Sequence, residues 1–220
     1  MFWLWGNIGN YVISYFHFLG DKRATHRMGV AVIPVYMSFC DFTAPSSAFL
    51  MKRIHVKLII ALGAAFLLGG ILLASYMTTW WSFFVSYSVL TPLGIGIFYW
   101  VPIFCAWEWF PERKGLISGL IVGSIGMGNF AFNMISTTLI NPDNVLPGTI
   151  EGTTDILFPK EIAERFPKMI RQCMVPWTIL CVIAICLITR HPKYDIRNKQ
   201  SRQSETKSSE VENTDKANDE

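Results

Sequence analysis

Apolar residues run through the first 190 positions of this 220-residue chain in six long stretches that contain no lysine or arginine. An α-helix needs about 20 residues to cross the hydrocarbon core of a bilayer, which is roughly 30 Å thick. A soluble domain could bury one or two such helices, but six in succession leave too little polar surface to cover them. The pattern therefore predicts an all-α membrane protein, a bundle of six transmembrane helices. The approximate spans are 2–19, 28–50, 58–77, 80–106, 115–139 and 173–189.

The composition agrees with this prediction. Charged residues make up 16% of the chain, against about 25% in an ordinary soluble domain, and aromatic residues make up 14%. Beyond the last span, residues 191–220 form a polar tail that is rich in serine, asparagine, aspartate, glutamate and lysine. Such a segment cannot bury enough apolar surface to fold, so we expect it to be disordered in the cytosol.

Basic residues in the short loops predict the orientation of the bundle. If both termini are cytosolic, the inner loops and the residues just after the last span hold ten basic residues, and the first outer loop holds three. The connection 140–172 holds four more, mixed with five acids. Its proline and glycine residues predict turns and then a short helix between Pro159 and Pro167. The count favours cytosolic termini and an outer loop, 140–172, that folds over the outer end of the bundle.

Polar side chains form a stripe along the first span. They recur at intervals of 3, 4 and 3 residues: Asn7, Asn10, Ser14 and His17. A helix places such residues on one side, where Tyr11 and Tyr15 flank them. Polar groups in lipid are costly, so the stripe indicates either a hydrated path or hydrogen bonds between helices, worth about 0.6 kcal/mol each on average. The candidates for a substrate path on this span are Asn7, Asn10, Tyr11, Ser14 and Tyr15.

Asp41 is the only acidic residue that lies well inside a predicted span. An ionised aspartate at the centre of a membrane helix costs about 2.5–3.5 kcal/mol, so it should be protonated, paired or exposed to water. No basic residue lies within the six spans to pair with it. Asp41 is therefore a candidate for proton coupling or substrate contact. The alternative is that its helix starts deeper, so that Asp41 reaches the interface or bonds to the backbone.

Two pairs of residues in the fourth and fifth spans are further path candidates. Tyr99 and Trp100 lie near the middle of the fourth span, where they either contact a substrate or fill core space. Asn129 and Asn133 form a polar stripe on the fifth span, which fits either a cavity or hydrogen bonding between helices.

Glycines recur every fourth residue at the start of the fifth span, at Gly115, Gly119 and Gly123. Two overlapping G-x-x-x-G steps remove the side chains from one helix face and allow another helix to approach closely. We therefore expect these glycines to be helix-packing residues.

Motifs of enzymatic catalysis are absent from the sequence. It contains no G-x-S-x-G, no H-E-x-x-H, no P-loop and no Cys/His pair at the spacing of metal ligands. The five cysteines lie in or at the edges of the spans without paired spacing, as expected of packing residues. We therefore expect neither an enzyme nor a cofactor, metal or nucleic-acid site.

The chain resembles the major facilitator superfamily, specifically its monocarboxylate and oxalate/formate transporter branch, in GIGIFYWVPIFCAWEWFPERKGLISGLIVGSIGMG and in LWGNIGNYVISYF. Members of that branch carry a W-F-P-[ED]-[RK]-[RK]-G-x-x-x-G junction on a cytosolic loop. Glu112, Arg113 and Lys114 match its charged positions. The superfamily's G-x-L-x-D-R-x-G-R-[RK] loop fits at Arg53 and Lys57, although Lys52 stands where its acid is expected.

This resemblance implies a fold and a function. The superfamily has twelve helices in two six-helix halves, with the substrate between the halves near the bilayer midplane. The chain matches the amino-terminal half, which implies transport of small organic anions such as monocarboxylates by alternating access. The first and fourth spans would line the path, and the second and fifth would meet a second half, supplied by a homodimer or a separate chain. The alternatives are a truncated, transport-inactive remnant and a non-transporting membrane scaffold.

Overall fold

The computed structural model of the protein describes residues 5–149 and 156–193, so residues 2–4 of the first predicted span and the tail beyond 193 lie outside the described part. A π-helical segment, Ser86–Leu90, and a 3-10 turn, Pro111–Arg113, lie between successive α-helices. Two short strands, β1 (Gly148–Thr149) and β2 (Ile156–Leu157), pair antiparallel. The α-helices are α1 (Trp5–Phe18), α2 (His26–Arg53), α3 (Val56–Tyr76), α4 (Trp80–Val85), α5 (Thr91–Trp109), α6 (Lys114–Ile140), α7 (Lys160–Ala163) and α8 (Phe166–Leu187).

Long apolar helices dominate the described residues, which confirms the predicted all-α membrane architecture. The helical segments that are long and apolar enough to cross a membrane are His26–Arg53, Val56–Tyr76, Trp80–Trp109, Pro111–Ile140 and Lys160–Leu187. The described part of α1 adds 14 residues, which is roughly 21 Å at 1.5 Å per residue. We call the end of the bundle that carries Pro111–Arg113 the inner end, and the end that carries β1, β2 and α7 the outer end.

The helix that corresponds to the sixth span begins well before its predicted start at residue 173. It starts at Phe166, with Pro167 in its first turn. Proline suits this position because the first-turn N–H groups have no partner inside the helix. The short helix predicted between Pro159 and Pro167 corresponds to α7, Lys160–Ala163. The polar connection is thus shorter than the sequence suggests, and α8 extends to the outer end of the bundle.

Helices α2, α3 and α5 form the tightly packed block of the molecule. At Gly94 of α5, an added Cβ would overlap the backbone of Gly63 and Leu67 in α3. At Gly96, an added Cβ would overlap the side chain of Thr43 and a backbone carbonyl in α2. Since only glycine lacks a Cβ, these two positions allow α5 to touch the backbones of both neighbours. Helix α3 also packs against α8.

The π-helical segment belongs to the long helical stretch Trp80–Trp109 and lies where this stretch crosses α3. The backbone N–H of Thr91 donates to the carbonyl of Ser86, five residues earlier, which is the π-helical spacing. The Ser86 hydroxyl donates to the carbonyl of Gly70 at 2.8 Å. A Cβ on Gly70 would lie 2.6 Å from Oγ1 of Thr91. The distorted turn therefore fits directly against the α3 backbone.

Helix α6 lies at the edge of the block and is largely uncovered. Its only buried residues are Ser136 and Ile140, both close to its outer end. A Cβ added at Gly115, Gly119 or Gly123 would meet nothing within 4 Å. No helix within the described ranges approaches this glycine face, so the expected close packing does not occur inside the chain. A packing role for these three glycines stays a prediction about a contact with another helix.

Candidate functional site

The first residue of the α1 polar stripe, Asn7, connects this helix to α6. The half-buried Asn7 amide donates to Oγ1 of Thr137 at 2.6 Å and to the carbonyl of Asn133 at 3.4 Å. The side-chain oxygen of Asn133 is buried and accepts no hydrogen bond from the residues that the structure describes. Asn10, one turn further along α1, is exposed. This contact leaves a buried acceptor on Asn133 and an exposed amide on Asn10.

The outer part of the stripe is covered by the connection between α6 and α8. Ser14 is fully buried, and its hydroxyl accepts a hydrogen bond from the backbone N–H of Phe158 at 2.9 Å. The ring of Tyr11 stacks on Phe158 with the ring centroids 4.0 Å apart, and its hydroxyl accepts from the Asn141 amide at 3.3 Å. Tyr15 is half-buried beside them. We call Tyr11, Ser14, Asn141 and Phe158 the outer cap, because they attach the outer connection to α1.

Asp41 lies near the middle of α2 and points away from the packed block. The buried residues of this 28-residue helix form the opposite stripe, which includes Val32, Tyr36 and Thr43. Asp41 is exposed and makes no hydrogen bond or ion pair with another described residue. Pro45 lacks an N–H, so the backbone carbonyl of Asp41 has no donor one turn later in the helix. The open side of α2 thus carries a carboxyl group at a point where the helix lacks one of its backbone hydrogen bonds.

Aromatic residues of α5 form a ladder towards α6. The Trp100 ring lies 4.9 Å from Tyr99 and 5.9 Å from Phe104, measured between centroids. Phe104 in turn contacts Trp107, whose indole N–H donates to the Ser118 hydroxyl at 2.8 Å. The indole N–H of Trp100 is buried and finds no acceptor among the described residues. It is a free donor inside the bundle.

The asparagines of α6 and its glycines lie in different surroundings. Asn129 and Asn133 are both half-buried and lie on the side that packs against the bundle. The three glycines at the start of α6 are exposed. The structure therefore places Asn7, Asn133 and Thr137 together, keeps Tyr11 and Ser14 in the outer cap, and leaves Asp41 on the open side of α2. Their predicted role in a substrate path stays a prediction.

A charged cluster at the inner end joins three helices. The Arg190 guanidinium forms an ion pair with Glu108, at the end of α5, and its Nη1 donates to the carbonyl of Met51 in α2 at 2.6 Å. The side chains of Arg190 and Glu108 are only 13% and 11% exposed. The indole of Trp109 donates to the carbonyl of Thr189 at 3.2 Å. We call Glu108, Arg190 and the Met51 carbonyl the inner latch. Sequence reasoning missed it because its two charges are 82 residues apart.

The residues that match the superfamily loops contact the bundle itself. The ammonium group of Lys57 donates to the carbonyl of Cys186 at 3.1 Å. The guanidinium of Arg53 lies 5.1 Å from the ring of Phe49, and the ammonium of Lys114 lies 6.0 Å from the Trp107 ring. The other two matching residues are exposed on the inner turn: Glu112 and Arg113.

Comparison with known proteins gives three informative relatives, whereas no family model matches the chain. Over 89 residues, or 40% of this chain, it is 30% identical to apicoplast pyruvate carrier 1 of Toxoplasma gondii. Over 92 residues, or 41% of the chain, it is 36% identical to the uncharacterized MFS-type transporter YhjX of Escherichia coli. Over 121 residues, or 55% of the chain, it is 23% identical to monocarboxylate transporter 13 of Rattus norvegicus.

These relatives are named for transport, and the matched part of the chain spans 16%, 23% and 28% of their respective lengths. The comparisons support the similarity to MFS-type transporters, while the branch and the correspondence to one half stay predictions. Together with the long apolar helices, they confirm a multi-pass integral membrane protein.

Proposed function

We propose that this protein transports small organic anions, with monocarboxylates as the substrate class, by alternating access. The names of two relatives support the class, since one is a pyruvate carrier and another a monocarboxylate transporter. In this proposal the described bundle forms one side of the transport path. A second six-helix bundle, from another copy or another chain, covers the open sides of α2 and α6.

The observation that carries this proposal is the position of Asp41. A carboxyl group in the middle of a membrane helix is costly where it faces lipid. It faces away from its own bundle, and beside it is a backbone carbonyl without a helical donor. Irregular or unsatisfied backbone is tolerated at membrane depth only where it meets protein or lines a water-filled cavity. The open side of α2 is therefore better suited to an aqueous path than to lipid.

Neutral donors on the bundle suit a carboxylate substrate. Asn10 presents an exposed amide, and Trp100 has a buried indole N–H without an acceptor in the described part of the chain. We assign these two groups to substrate binding, and Asp41 to proton coupling. Tyr11 and Ser14 then act indirectly, because the outer cap already engages them and through them holds α1 in place.

Uptake of radiolabelled pyruvate into liposomes that contain the purified full chain tests this proposal. With an inward proton gradient, saturable uptake is expected, and Asp41→Asn should lower it at least about tenfold because the proton carrier is lost. Ser38→Ala is the matched control, since Ser38 is exposed on the same face and its hydroxyl bonds only to the Pro34 carbonyl of its own helix. Absence of saturable uptake under every proton and potential gradient would overturn transport by copies of this chain alone, in favour of a transport-inactive remnant or a scaffold.

A further inference from the structure

A groove opens at the outer end of the bundle, where α6 ends and α8 begins. Its volume is about 270 Å³, close to the lower limit of about 300 Å³ for small-molecule sites. The last turn of α6 supplies one wall and the first two turns of α8 supply the other. The lining residues are Thr138, Leu139, Arg165, Lys168, Met169 and Gln172.

The rim of this groove is cationic and polar, whereas its floor is apolar. Arg165, Lys168 and Gln172 are exposed and recur at intervals of 3 and 4, so α8 presents them on one side. Met169, on the same turn, is only 1% exposed. Two positive charges and two uncharged hydrogen-bonding side chains, including that of Thr138, thus surround a buried thioether.

The two cations lack a charged partner in the part of the chain that the structure describes. The nearest acid in sequence, Glu164, forms an ion pair with Lys160 at 3.7 Å. The neighbouring Arg171 is engaged elsewhere, since its guanidinium lies 5.3 Å from the Tyr76 ring. No side chain caps the start of α8, whose N-terminal dipole adds to the positive potential of Arg165 and Lys168. The groove is therefore suited to an anion.

The surface below the groove indicates which kind of anion binds. Ile135 of α6 and Val175 and Ile179 of α8 follow the groove residues towards the membrane, at helical spacing, and are 45%, 62% and 55% exposed. The groove itself lies at the ends of two spanning helices, which is the level of the lipid headgroups. A free anion would use only the cationic rim, whereas a lipid would use both the rim and the apolar seam.

We infer that this groove binds the phosphate headgroup of an anionic membrane lipid, with an acyl chain along the seam formed by Ile135, Val175 and Ile179. Arg165 and Lys168 neutralise the phosphate, and the Gln172 amide donates further hydrogen bonds to the headgroup. This inference does not depend on the proposed transport activity, because none of these groups belongs to the assigned path.

Lipid retention by the full chain tests the inference. The chain is placed in nanodiscs of phosphatidylcholine with increasing phosphatidylglycerol, and bound lipid is measured by native mass spectrometry after release into detergent. The double variant Arg165→Gln/Lys168→Gln should weaken phosphatidylglycerol binding on the order of 30-fold, since each cation near an anionic surface contributes about 1 kcal/mol, or about fivefold. The matched control is Lys22→Gln/Arg23→Gln, which removes two exposed charges from the first outer loop and should leave binding within about twofold.

Equal weakening by both double variants would overturn the inference, because it would show general attraction to the outer surface. Competition by inorganic phosphate as effective as that by phosphatidylglycerol would also overturn it, in favour of a free phosphate site. A measurement on the unaltered chain guards against variants that do not fold. Phosphatidylglycerol with a photoreactive acyl chain should label the peptides that contain Ile135, Val175 and Ile179, and labelling confined to other segments would contradict the seam.

Discussion

The glycines of α3 and α5 and the glycines of α6 lie in opposite surroundings. Cβ atoms added at Gly63, Gly70 and Gly94 would collide with neighbouring helices, whereas those added at Gly115 and Gly119 would meet open space. Both sets have the small-residue composition of a helix-packing face. The first set closes the block of α2, α3 and α5 within the chain. The second set shows that a face built for close approach is not necessarily occupied by the chain's own helices.

Polar contacts follow the same division between a closed side and an open side. On the closed side, the inner latch pairs charged groups at one end of the helices, and the outer cap pairs polar groups at the other end. On the open side, Asp41 is exposed at mid-depth on α2. Substitutions should therefore affect stability on the closed side and, if a second bundle covers the open side, activity there.

On the closed side, Gly94→Val should cause the largest loss of stability. Its side chain would overlap the α3 backbone, which cannot give way as a flexible side chain can, so we expect a loss of about 5 kcal/mol or failure to fold. Thermal unfolding in detergent, followed by tryptophan fluorescence, measures the effect. Gly69→Val on α3 is the control, since a Cβ there meets nothing within 4 Å. Equal stability of the two variants would disprove the assigned difference in packing.

Loss of the inner latch should have the next largest effect. Arg190→Ala leaves Glu108 as a nearly buried carboxylate without its cation, and removal of one partner from a buried pair costs about 3–5 kcal/mol. The same thermal measurement should show little effect of Arg113→Ala, whose side chain is exposed on the inner turn. A double variant that also carries Glu108→Ala should be less destabilised than the sum of the single variants. Strict additivity would mean that the two residues do not act together.

Removal of the outer cap should have a smaller and more local effect. Ser14→Ala leaves the buried N–H of Phe158 without its acceptor, which costs about 1–3 kcal/mol. Hydrogen exchange should accelerate at the Phe158 amide and leave the amides of the α3–α5 contact unchanged. Unaltered protection at Phe158 would show that the Ser14 hydroxyl does not hold the outer connection.

Substitutions of Gly119 combine the smallest expected change in stability, for Gly119→Ala, with the sharpest test of the open side, for Gly119→Leu. Alanine is favoured over glycine in a helix by about 0.5–1 kcal/mol, and nothing near Gly119 opposes its Cβ. The unfolding midpoint should therefore stay the same or rise slightly. In the uptake assay, the bulkier Gly119→Leu should abolish transport if a second bundle packs on this face. Full activity of Gly119→Leu would contradict that contact.

The apolar spans were predictable from the sequence because lipid offers no hydrogen-bond partners, so that composition alone identifies helices long enough to cross it. The earlier start of α8 at Phe166 was missed because Pro167 was interpreted as the end of a helical stretch, whereas it lies in the first turn of a helix. Local patterns are informative about helices, but the role of a proline depends on which side of it the helix continues.

Contacts between distant positions were beyond the sequence pattern. The pairing of Ser14 with Phe158 joins residues 144 apart, and that of Glu108 with Arg190 joins residues 82 apart. Helical spacing placed Ser14 on a polar stripe, but it could not distinguish a water-filled path from a protein segment that covers it. The glycines of α6 present the same difficulty, since their spacing describes a face without identifying what contacts it.

The π-helical segment Ser86–Leu90 has a consequence for the phase of the long helix in which it lies. Each residue of an α-helix advances the side-chain direction by about 100°, and a π-helical turn accommodates one additional residue. Side chains of α5 therefore point about 100° away from where a regular continuation of α4 would direct them. Deletion of one residue within the segment would restore the regular helix and rotate Trp107 away from Ser118 of α6, and Trp100 by the same angle. A single extra residue thus determines which neighbour the aromatic ladder faces.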